Sequence, residues 1–351
     1  MIKLLDCTLR DGGYINDWNF GKNVIEDTIH QLEKAKVDII ELGFLKDEPY
    51  NEDRSIFNNI DQITKFIPKK KGGISYAAMV EVVNPIPLSK IKNCSDETID
   101  IVRVIVWKNM KDKNGNVVDA IEEGFNYCKG IVEKGYKLCV QPARIDQYSD
   151  DEFLDMINKF KILNPMAVYV VDSWGTLNAE NVVHYVQLAD KFLPKEISIG
   201  YHGHNNLMQA FGVASVFVNS CSKRELIVDA SVFGIGRGAG NLNIELFAKY
   251  LNEYKDKEYN LAPILYLYEK YVKSIFNERK WGYSIPYFLS AYYKCNPSYG
   301  EYYGLIKMIP DSVIDEVLKR IEGVDKIIFT RSKADYYLKA YSNSSVSDIE
   351  Q

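Results

Sequence analysis

Two histidines separated by one residue are the side chains in this sequence best suited to bind a metal. His202 and His204 stand in the segment Gly200-Tyr-His-Gly-His-Asn-Asn206. Side chains at positions i and i+2 of a β-strand project from the same face, so both imidazoles can bind one ion. Histidines also fill protein cores, but the other two in the chain, His30 and His184, fall in helical patterns. The pair therefore predicts a divalent metal site.

A charged turn near the N-terminus supplies the other groups that such a site needs. Arg10 and Asp11 precede two glycines in the segment Leu5-Asp-Cys-Thr-Leu-Arg-Asp-Gly-Gly-Tyr14. Asp11 can add an oxygen ligand, and two nitrogens plus one carboxylate leave coordination positions for water and substrate. Arg10 offers a bidentate cation for a carboxylate or for a developing enolate oxygen. The same residues also fit an ordinary charged turn.

A glycine-rich segment, Gly234-Ile-Gly-Arg-Gly-Ala-Gly-Asn241, follows the last predicted strand and precedes a helix. It is not a dinucleotide-binding fingerprint, because Ala239 stands where the third glycine belongs and the segment comes late in the chain. Backbone amides at the start of a helix can bind an anion. Glycines also allow close packing at the rim of a sheet, and the segment is compatible with both functions.

Short β-branched runs alternate with amphipathic segments up to about residue 250, which is typical of βα units around a parallel sheet. The eight predicted strands are 2–7, 38–44, 73–79, 99–107, 137–141, 167–172, 198–204 and 226–232. Helical periodicity marks segments such as 21–36, 150–163 and 178–192, and the third and seventh helices are expected to be the weaker ones. An open doubly wound sheet has fewer strands, so the pattern predicts an α/β fold, the (β/α)8 TIM barrel. Reactive groups of that fold lie at the carboxyl ends of its strands.

The pattern changes near residue 259, after which tyrosines are concentrated and prolines recur. We predict a TIM-barrel catalytic domain over residues 1–258, a smaller, mainly helical, tyrosine-rich C-terminal domain over 259–341, and a flexible tail over 342–351. Tyrosine-rich segments suit an interface or a pocket wall, and they also occur in ordinary helix packing.

Composition argues against several classes of protein. The net charge of −5, from 43 basic and 48 acidic residues, provides no electrostatic footprint for nucleic acid. No apolar run reaches the roughly 20 residues of a membrane helix. Asp6 stands where a signal peptide has its apolar core, so a cytoplasmic location is expected. The six cysteines show no CxxC spacing, which favours reduced, mostly structural thiols.

Three motifs together resemble the metallolyase superfamily of 3-hydroxy-3-methylglutaryl-CoA (HMG-CoA) lyase, isopropylmalate synthase and 4-hydroxy-2-oxovalerate aldolase, also called the DRE-TIM metallolyases. They are Asp6-x-Thr-Leu-Arg-Asp-Gly12, His202-x-His204-Asn205 and Gly-x-Gly-x-x-x-Gly-Asn241, and they occur in the family's order. The segment Val-Asp172-Ser173, the glycine-rich segment and the aromatic C-terminal part look most like the 4-hydroxy-2-oxovalerate aldolase branch.

The resemblance implies that Asp11, His202 and His204 bind a divalent metal and that Arg10 holds the enolate of pyruvate. The aldolase branch usually carries Mn2+; Mg2+, Co2+ and Zn2+ are the alternatives, because ligand affinities do not identify the native ion. Asn241 is a metal ligand in the lyase and synthase branches, and here it is either a ligand or a neighbour of the ligands.

Further roles follow from the same resemblance. Ser173 is implied to help seat the pyruvate carboxylate, and a C-terminal tyrosine lies near the substrate in this branch, for which Tyr292 and Tyr293 are our candidates. The family histidine that takes the substrate's hydroxyl proton is replaced here by Tyr14. A phenol with an ordinary pKa near 10 is a poor base unless neighbouring cations lower that pKa. Either Tyr14 transfers the proton in an electropositive site, or another group or a metal-bound water does.

The function implied is a metal-dependent (class II) aldolase that makes or cleaves a bond between the enolate of pyruvate, or another 2-oxo acid, and an aldehyde. An acyl-CoA synthase or lyase is the first alternative, although Gly13 and Arg237 stand where the synthases carry a glutamate and the lyase a cysteine. A non-catalytic, partner-binding barrel subunit is the second. The expected partners are a 2-oxo acid, an aldehyde and a second copy of the chain, and the resemblance adds a dehydrogenase.

Overall fold

Eight parallel strands close into a barrel in the computed structural model, which describes residues 1–68, 73–111, 117–220 and 223–347. The strands are β1 (Ile2–Asp6), β2 (Ile39–Leu45), β3 (Ser75–Glu81), β4 (Ile101–Val106), β5 (Lys137–Pro142), β6 (Ala167–Asp172), β7 (Ser198–Gly203) and β8 (Leu226–Ala230). Each strand pairs with its neighbours in sequence, and β1 closes the barrel by pairing with both β2 and β8. The predicted TIM barrel is confirmed.

Helices cover the outside of the barrel. They are α1 (Lys22–Lys34), α2 (Ile60–Thr64), α3 (Ala120–Glu133), α4 (Asp150–Phe160), α5 (Ala179–Phe192), α6 (Ala210–Ser220) and α7 (Ile244–Tyr254). After β3 the described residues form a 3-10 turn, Leu88–Lys90, because Pro85 and Pro87 lack the N–H groups that a helix needs. The weak third helix is thus confirmed. The expectation of a weak seventh helix is wrong: α6 is regular, and its apolar residues surround it so fully that the amphipathic period is faint.

Short elements complete the barrel domain. Helical turns Thr8–Asp11 and Gly13–Asn16 follow β1, the short strand Ile56–Phe57 pairs in parallel with the end of β2, and strands Asn109–Lys111 and Val117–Asp119 pair antiparallel with each other. Side-chain caps mark the start of α3, α4 and α5. Ser149, for example, forms a reciprocal capping box at the start of α4, which satisfies backbone donors that a helix leaves unpaired.

The barrel interior changes from apolar to charged along the strand direction. Its amino-terminal half is filled by residues such as Leu5, Ile39 and Ile101. Further along the strands, Glu41, Arg103 and Asp229 point inward and are at most 2% exposed. Charged groups buried this deeply need partners of opposite charge.

The C-terminal part is helical, as predicted. Its elements are α8 (Leu261–Leu267), a π-helical turn (Tyr268–Val272), α9 (Lys273–Glu278), α10 (Ile285–Tyr292), α11 (Pro297–Gly300), a second π-helical turn (Glu301–Ile306), α12 (Asp311–Lys319), a 3-10 turn (Gly323–Lys326) and α13 (Arg331–Ser347). Ile264, Leu267 and Trp281 pack into the barrel's own core, and a separate core begins at Leu289. The helices after residue 259 therefore contribute to both cores.

Helix α13 reaches Ser347 and so extends into the predicted tail 342–351, of which residues 348–351 lie outside the described residues. Within the described ranges, no helix has both the length and the apolar character needed to cross a bilayer.

Candidate active site

Asp11, His202 and His204 converge at the carboxyl end of the barrel. Their potential ligand atoms all lie within 4.8 Å of one another, and His204 Nε2 is 3.9 Å from Asp11 Oδ2. Both imidazoles come from β7 and the residue after it, and their rings stand nearly perpendicular with centroids 5.1 Å apart. All three side chains are buried. Closure of the barrel brings β7 next to β8 and β8 next to β1, which places Asp11 beside the two histidines.

The protonation of these groups suits a metal. Burial lowers the pKa of His204 to about 4, so its imidazole is neutral at physiological pH. Burial alone raises the pKa of Asp11, but Arg10 and the two imidazoles outweigh it and hold that pKa well below its usual range. His202 Nδ1 lies 3.0 Å from Asp229 Oδ2, which leaves Nε2 for coordination. Two imidazoles and one carboxylate form a typical donor set for a divalent transition metal.

Among the buried atoms that lack a hydrogen bond within the described residues are His204 Nδ1, in the cluster, and Asn241 Oδ1, beside it. Buried polar atoms are rarely left unpaired, so both support a ligand at this position. Asn241 Nδ2 donates to Asp11 Oδ2 at 2.7 Å, so Asn241 contacts the Asp11 carboxylate directly. Gly236 permits this close approach, since a Cβ there would lie 2.5 Å from Asp11 Oδ2. Tight packing therefore explains this part of the glycine-rich segment.

A chain of buried charges runs beneath the cluster and connects two of its members. Arg10 pairs with Asp11 and donates to Glu41 Oε2 at 2.8 Å. Arg103 Nη1 lies 2.8 Å from the same Glu41 oxygen, and its other terminal nitrogen pairs with Asp229. Asp229 in turn contacts His202. The order of the chain is thus Asp11, Arg10, Glu41, Arg103, Asp229 and His202.

Replacement of Arg103 by methionine tests this chain. The change leaves Glu41 and Asp229 buried without their shared cation, so we expect a loss of about 3–5 kcal/mol in the free energy of unfolding. We also expect metal affinity to fall by about 10–100-fold, as when partners of ligands are removed. Denaturant unfolding and metal titration measure the two effects. The control is Arg224→Met, which removes another buried arginine from the opposite end of the barrel; equal metal affinities in the two variants would contradict the prediction.

A cavity of about 80 Å3 opens above the cluster. Its lining includes the predicted residues Arg10, Asp11, Tyr14, Ser173, His202 and His204. Ser173 Oγ accepts a hydrogen bond from the Arg144 backbone N–H at 3.0 Å. The lining also includes Glu81, Trp107, Gln141 and Arg237, which the sequence analysis did not assign to the site.

Comparison with known proteins agrees with this geometry. The profile of the family described as HMGL-like matches residues 1–268. The chain belongs to the HMGL-like family.

A 4-hydroxy-2-oxovalerate aldolase of Geobacillus genomosp. 3 is 24% identical to this HMGL-like protein over 257 residues, covering 72% of this chain and 70% of the relative. A 2-isopropylmalate synthase of Prochlorococcus marinus is 25% identical over 287 residues, 75% of this chain and 50% of the synthase. The solved N-terminal domain of a proposed aldolase from Bacteroides vulgatus superposes with a TM-score of 0.68 at 20% identity, covering 91% of this chain and 97% of the domain. The superfamily resemblance is confirmed, and the members of this superfamily are lyases and synthases.

Tyr14 of this HMGL-like protein stays protonated. Burial raises the pKa of its phenol to about 12, and the nearby cation Arg237 only partly offsets the effect of burial. This direction is opposite to the lowered pKa that a tyrosine base needs, and it favours the alternative in which another group takes the proton.

We therefore expect Tyr14→Phe to leave the pH dependence of kcat/KM unaltered between about pH 6 and 9, because a phenol with a pKa near 12 does not titrate there. A pH–rate series on the wild type and the variant measures this. Loss of one limb of the profile in the variant would show that Tyr14 is the titrating group.

Tyr292 and Tyr293 lie away from the cavity. Tyr292 is 65% exposed, and the Tyr293 hydroxyl donates to Asp315 Oδ1 at 2.8 Å. Tyr287, on the same helix, is buried and lines a second cavity together with Tyr14. Five residues advance about 140° around an α-helix, so the side chains of Tyr287 and Tyr292 lie on different faces of α10. Pro286 marks the first turn of α10, but the start of a helix does not determine which of its faces is buried.

Proposed function

We propose that this protein is a class II aldolase that makes or cleaves the carbon–carbon bond between the enolate of a small 2-oxo acid, pyruvate in the simplest case, and an aldehyde. One observation carries the proposal: the Asp11, His202 and His204 cluster lies beside Arg10 in a small cavity at the carboxyl ends of the strands. The similarity to 4-hydroxy-2-oxovalerate aldolases supports it.

The metal we propose is Mn2+, held by Asp11, His202 and His204. A divalent cation supplies Lewis acidity, which polarises the keto group and stabilises the negative charge of an enolate. Arg10 contributes the second source of stabilisation. Burial works against its charge, but Glu41 and Asp11 outweigh burial and raise the pKa of the guanidinium above its ordinary value. Arg10 is therefore a permanent donor toward the enolate oxygen. Ser173 lines the same cavity, and we assign to it a contact with the substrate carboxylate.

The proton of the substrate hydroxyl needs an acceptor, and Glu81 is our candidate. Its carboxylate lines the cavity and accepts a hydrogen bond from Trp107 Nε1 at 2.9 Å. No basic side chain of the described residues lies within ion-pair distance of it. The other ionisable groups of the lining are cations, the metal-binding groups and the protonated Tyr14.

In the cleavage direction, the hydroxyl proton on C4 of a 4-hydroxy-2-oxo acid passes to the Glu81 carboxylate. The C3–C4 bond breaks as the aldehyde C=O forms, and the electron pair of that bond becomes the enolate of the 2-oxo acid. Arg10 stabilises the enolate oxygen, and C3 then takes up a proton to give the free 2-oxo acid. Synthesis is the reverse of these steps.

Glu81→Gln is expected to lower kcat for cleavage by at least about 100-fold, since an amide of the same size cannot accept the proton. Steady-state kinetics measure the loss, and metal content is expected to stay at the wild-type level because Glu81 is not in the ligand cluster. The matched control is Trp107→Phe, which removes the indole N–H but leaves the carboxylate. Wild-type turnover in Glu81→Gln would rule out this role.

The proposed function itself is tested by exchange of the C3 protons of pyruvate in deuterated water, which requires enolate formation but no knowledge of the acceptor. We expect metal-dependent exchange, followed by NMR. Absence of exchange with pyruvate and with other small 2-oxo acids would overturn the proposal.

Acyl-CoA chemistry has less support. A Cβ at Gly13 would lie 2.0 Å from the Trp18 ring, so the position where the synthases carry a glutamate cannot hold one here without displacement of Trp18.

A further inference from the structure

The cavity above the metal-binding cluster has a neighbour at the same end of the barrel. A second cavity, of about 200 Å3, is lined by Tyr14 and Arg237, which also line the first. The two cavities therefore adjoin at these side chains. The far side of the second cavity is formed by the C-terminal part, through Tyr287, Ser298 and Arg279.

Arg237 carries the charge that is not neutralised in this second cavity. Its Nη2 donates to Asn296 Oδ1 at 2.8 Å, and its guanidinium carbon lies 5.6 Å from the centre of the Tyr14 ring. No carboxylate of the described residues lies within ion-pair distance of it. Arg279, the other arginine of the lining, pairs with Glu301. The cavity thus keeps one net positive charge.

The same cavity presents uncharged donors that lack partners. The hydroxyls of Tyr14, Tyr287 and Ser298 make no hydrogen bond within the described part of the chain. Burial raises the pKa of the Tyr287 phenol, so this hydroxyl keeps its proton and remains a donor. A guanidinium has five N–H groups in a planar fork that matches the oxygens of a carboxylate or a phosphate. One cation with three hydroxyl donors around it is a binding site for an anionic group.

We propose that the acceptor aldehyde carries a carboxylate or a phosphate, which Arg237 binds in the second cavity. The inference rests on the proposed aldolase function and names the acceptor class of that same site. A neutral aliphatic aldehyde would leave the Arg237 guanidinium unpaired within a partly buried cavity, which costs free energy. Because of that cost, the enzyme is expected to select aldehydes that carry an anionic group over neutral ones.

The test compares matched acceptors in the synthesis direction, with pyruvate as donor. Succinic semialdehyde is paired with pentanal, and glyceraldehyde 3-phosphate is paired with glyceraldehyde. We expect kcat/KM to be about 10–100-fold higher for the anionic member of at least one pair, as one charged hydrogen bond predicts. The pair with the larger ratio identifies carboxylate or phosphate as the group recognised.

Arg237→Met is expected to reduce that ratio toward one, and Arg237→Lys is expected to retain part of it. Arg320→Met, which removes a charge from an exposed position, is the control and is expected to keep the wild-type ratio. A binding measurement accompanies the kinetics. Calorimetric titration with succinate and with inorganic phosphate is expected to show binding of at least one of them that Arg237→Met weakens by about 10–100-fold.

The outcomes separate the inference from the function on which it rests. If pyruvate exchanges its C3 protons but wild-type protein shows no preference for either anionic aldehyde, the inference is overturned and the aldolase proposal stands. An anion preference that Arg237→Met leaves intact also overturns it. If exchange is absent, the aldolase proposal fails, and the titrations alone decide whether Arg237 binds an anion.

Discussion

Alanine at His204 or at His202 is expected to abolish stoichiometric binding of a divalent metal and, with it, turnover. Each change removes one of three ligands whose donor atoms lie within 4.8 Å of one another, and a carboxylate with one imidazole seldom retains a transition metal against dilution. Elemental analysis after gel filtration measures the metal in each variant. We expect about one ion per chain in the wild type and a residual amount near background in the variants.

The matched control for these variants is His184→Ala. His184 is a half-exposed histidine on α5 that contacts Asp150. Its replacement tests whether the loss of a histidine outside the cluster lowers the metal content of the protein. Metal affinity of the wild type is also expected to fall as the pH drops toward 4, because burial lowers the pKa of His204 to about 4 and protons compete with the metal below that value. Undiminished metal in either cluster variant would contradict the ligand assignment.

The substitution Arg10→Lys is expected to lower kcat/KM by about 100-fold or more. Arg10 bridges Glu41 and Asp11, and we assign it the enolate oxygen as well; a single ammonium group cannot reproduce that planar set of donors. Loss of one preorganised donor to a developing oxyanion costs on the order of 3 kcal/mol. Steady-state kinetics of cleavage measure the effect. Lysine retains the buried positive charge, so the variant is expected to fold.

Arg224→Lys is the matched control, because Arg224 is also buried but lies at the opposite end of the barrel, where it donates to Asp190 and to backbone carbonyls. Thermal unfolding of both variants separates loss of stability from loss of rate. An Arg10→Lys variant with the wild-type kcat/KM would remove the proposed role of Arg10.

The groups that could be found from sequence share a local signal. His202 and His204 alternate within one strand, and strand periodicity alone puts them on one face. Asp11 and Arg10 follow the first strand directly. The repeated βα pattern predicts a closed barrel, and closure makes the first and seventh strands near neighbours. The candidate metal site was therefore predictable.

Glu81 stands at the carboxyl end of the third strand, so the rule that reactive groups of a TIM barrel lie at the carboxyl ends of its strands could also have identified it. Arg103 and Asp229 also left a signal, since a charged residue inside an otherwise apolar strand requires a buried partner. Their actual partners, however, depend on the register between strands and on which way each side chain points within the barrel. Tyr292 and Tyr293 were chosen from the resemblance to the aldolase branch, and the phase of α10 buries Tyr287 instead.

Periodicity along the chain was enough to predict the barrel and the order of its strands, because it depends on spacing between near neighbours, and closure of the barrel then brings Asp11 near His202 and His204. The tertiary structure decided how Arg103 connects two distant carboxylates and how Arg237 and Tyr287 come to share a cavity. Those contacts join segments separated by long stretches of chain, and their geometry depends on side-chain packing between elements, which no local pattern encodes.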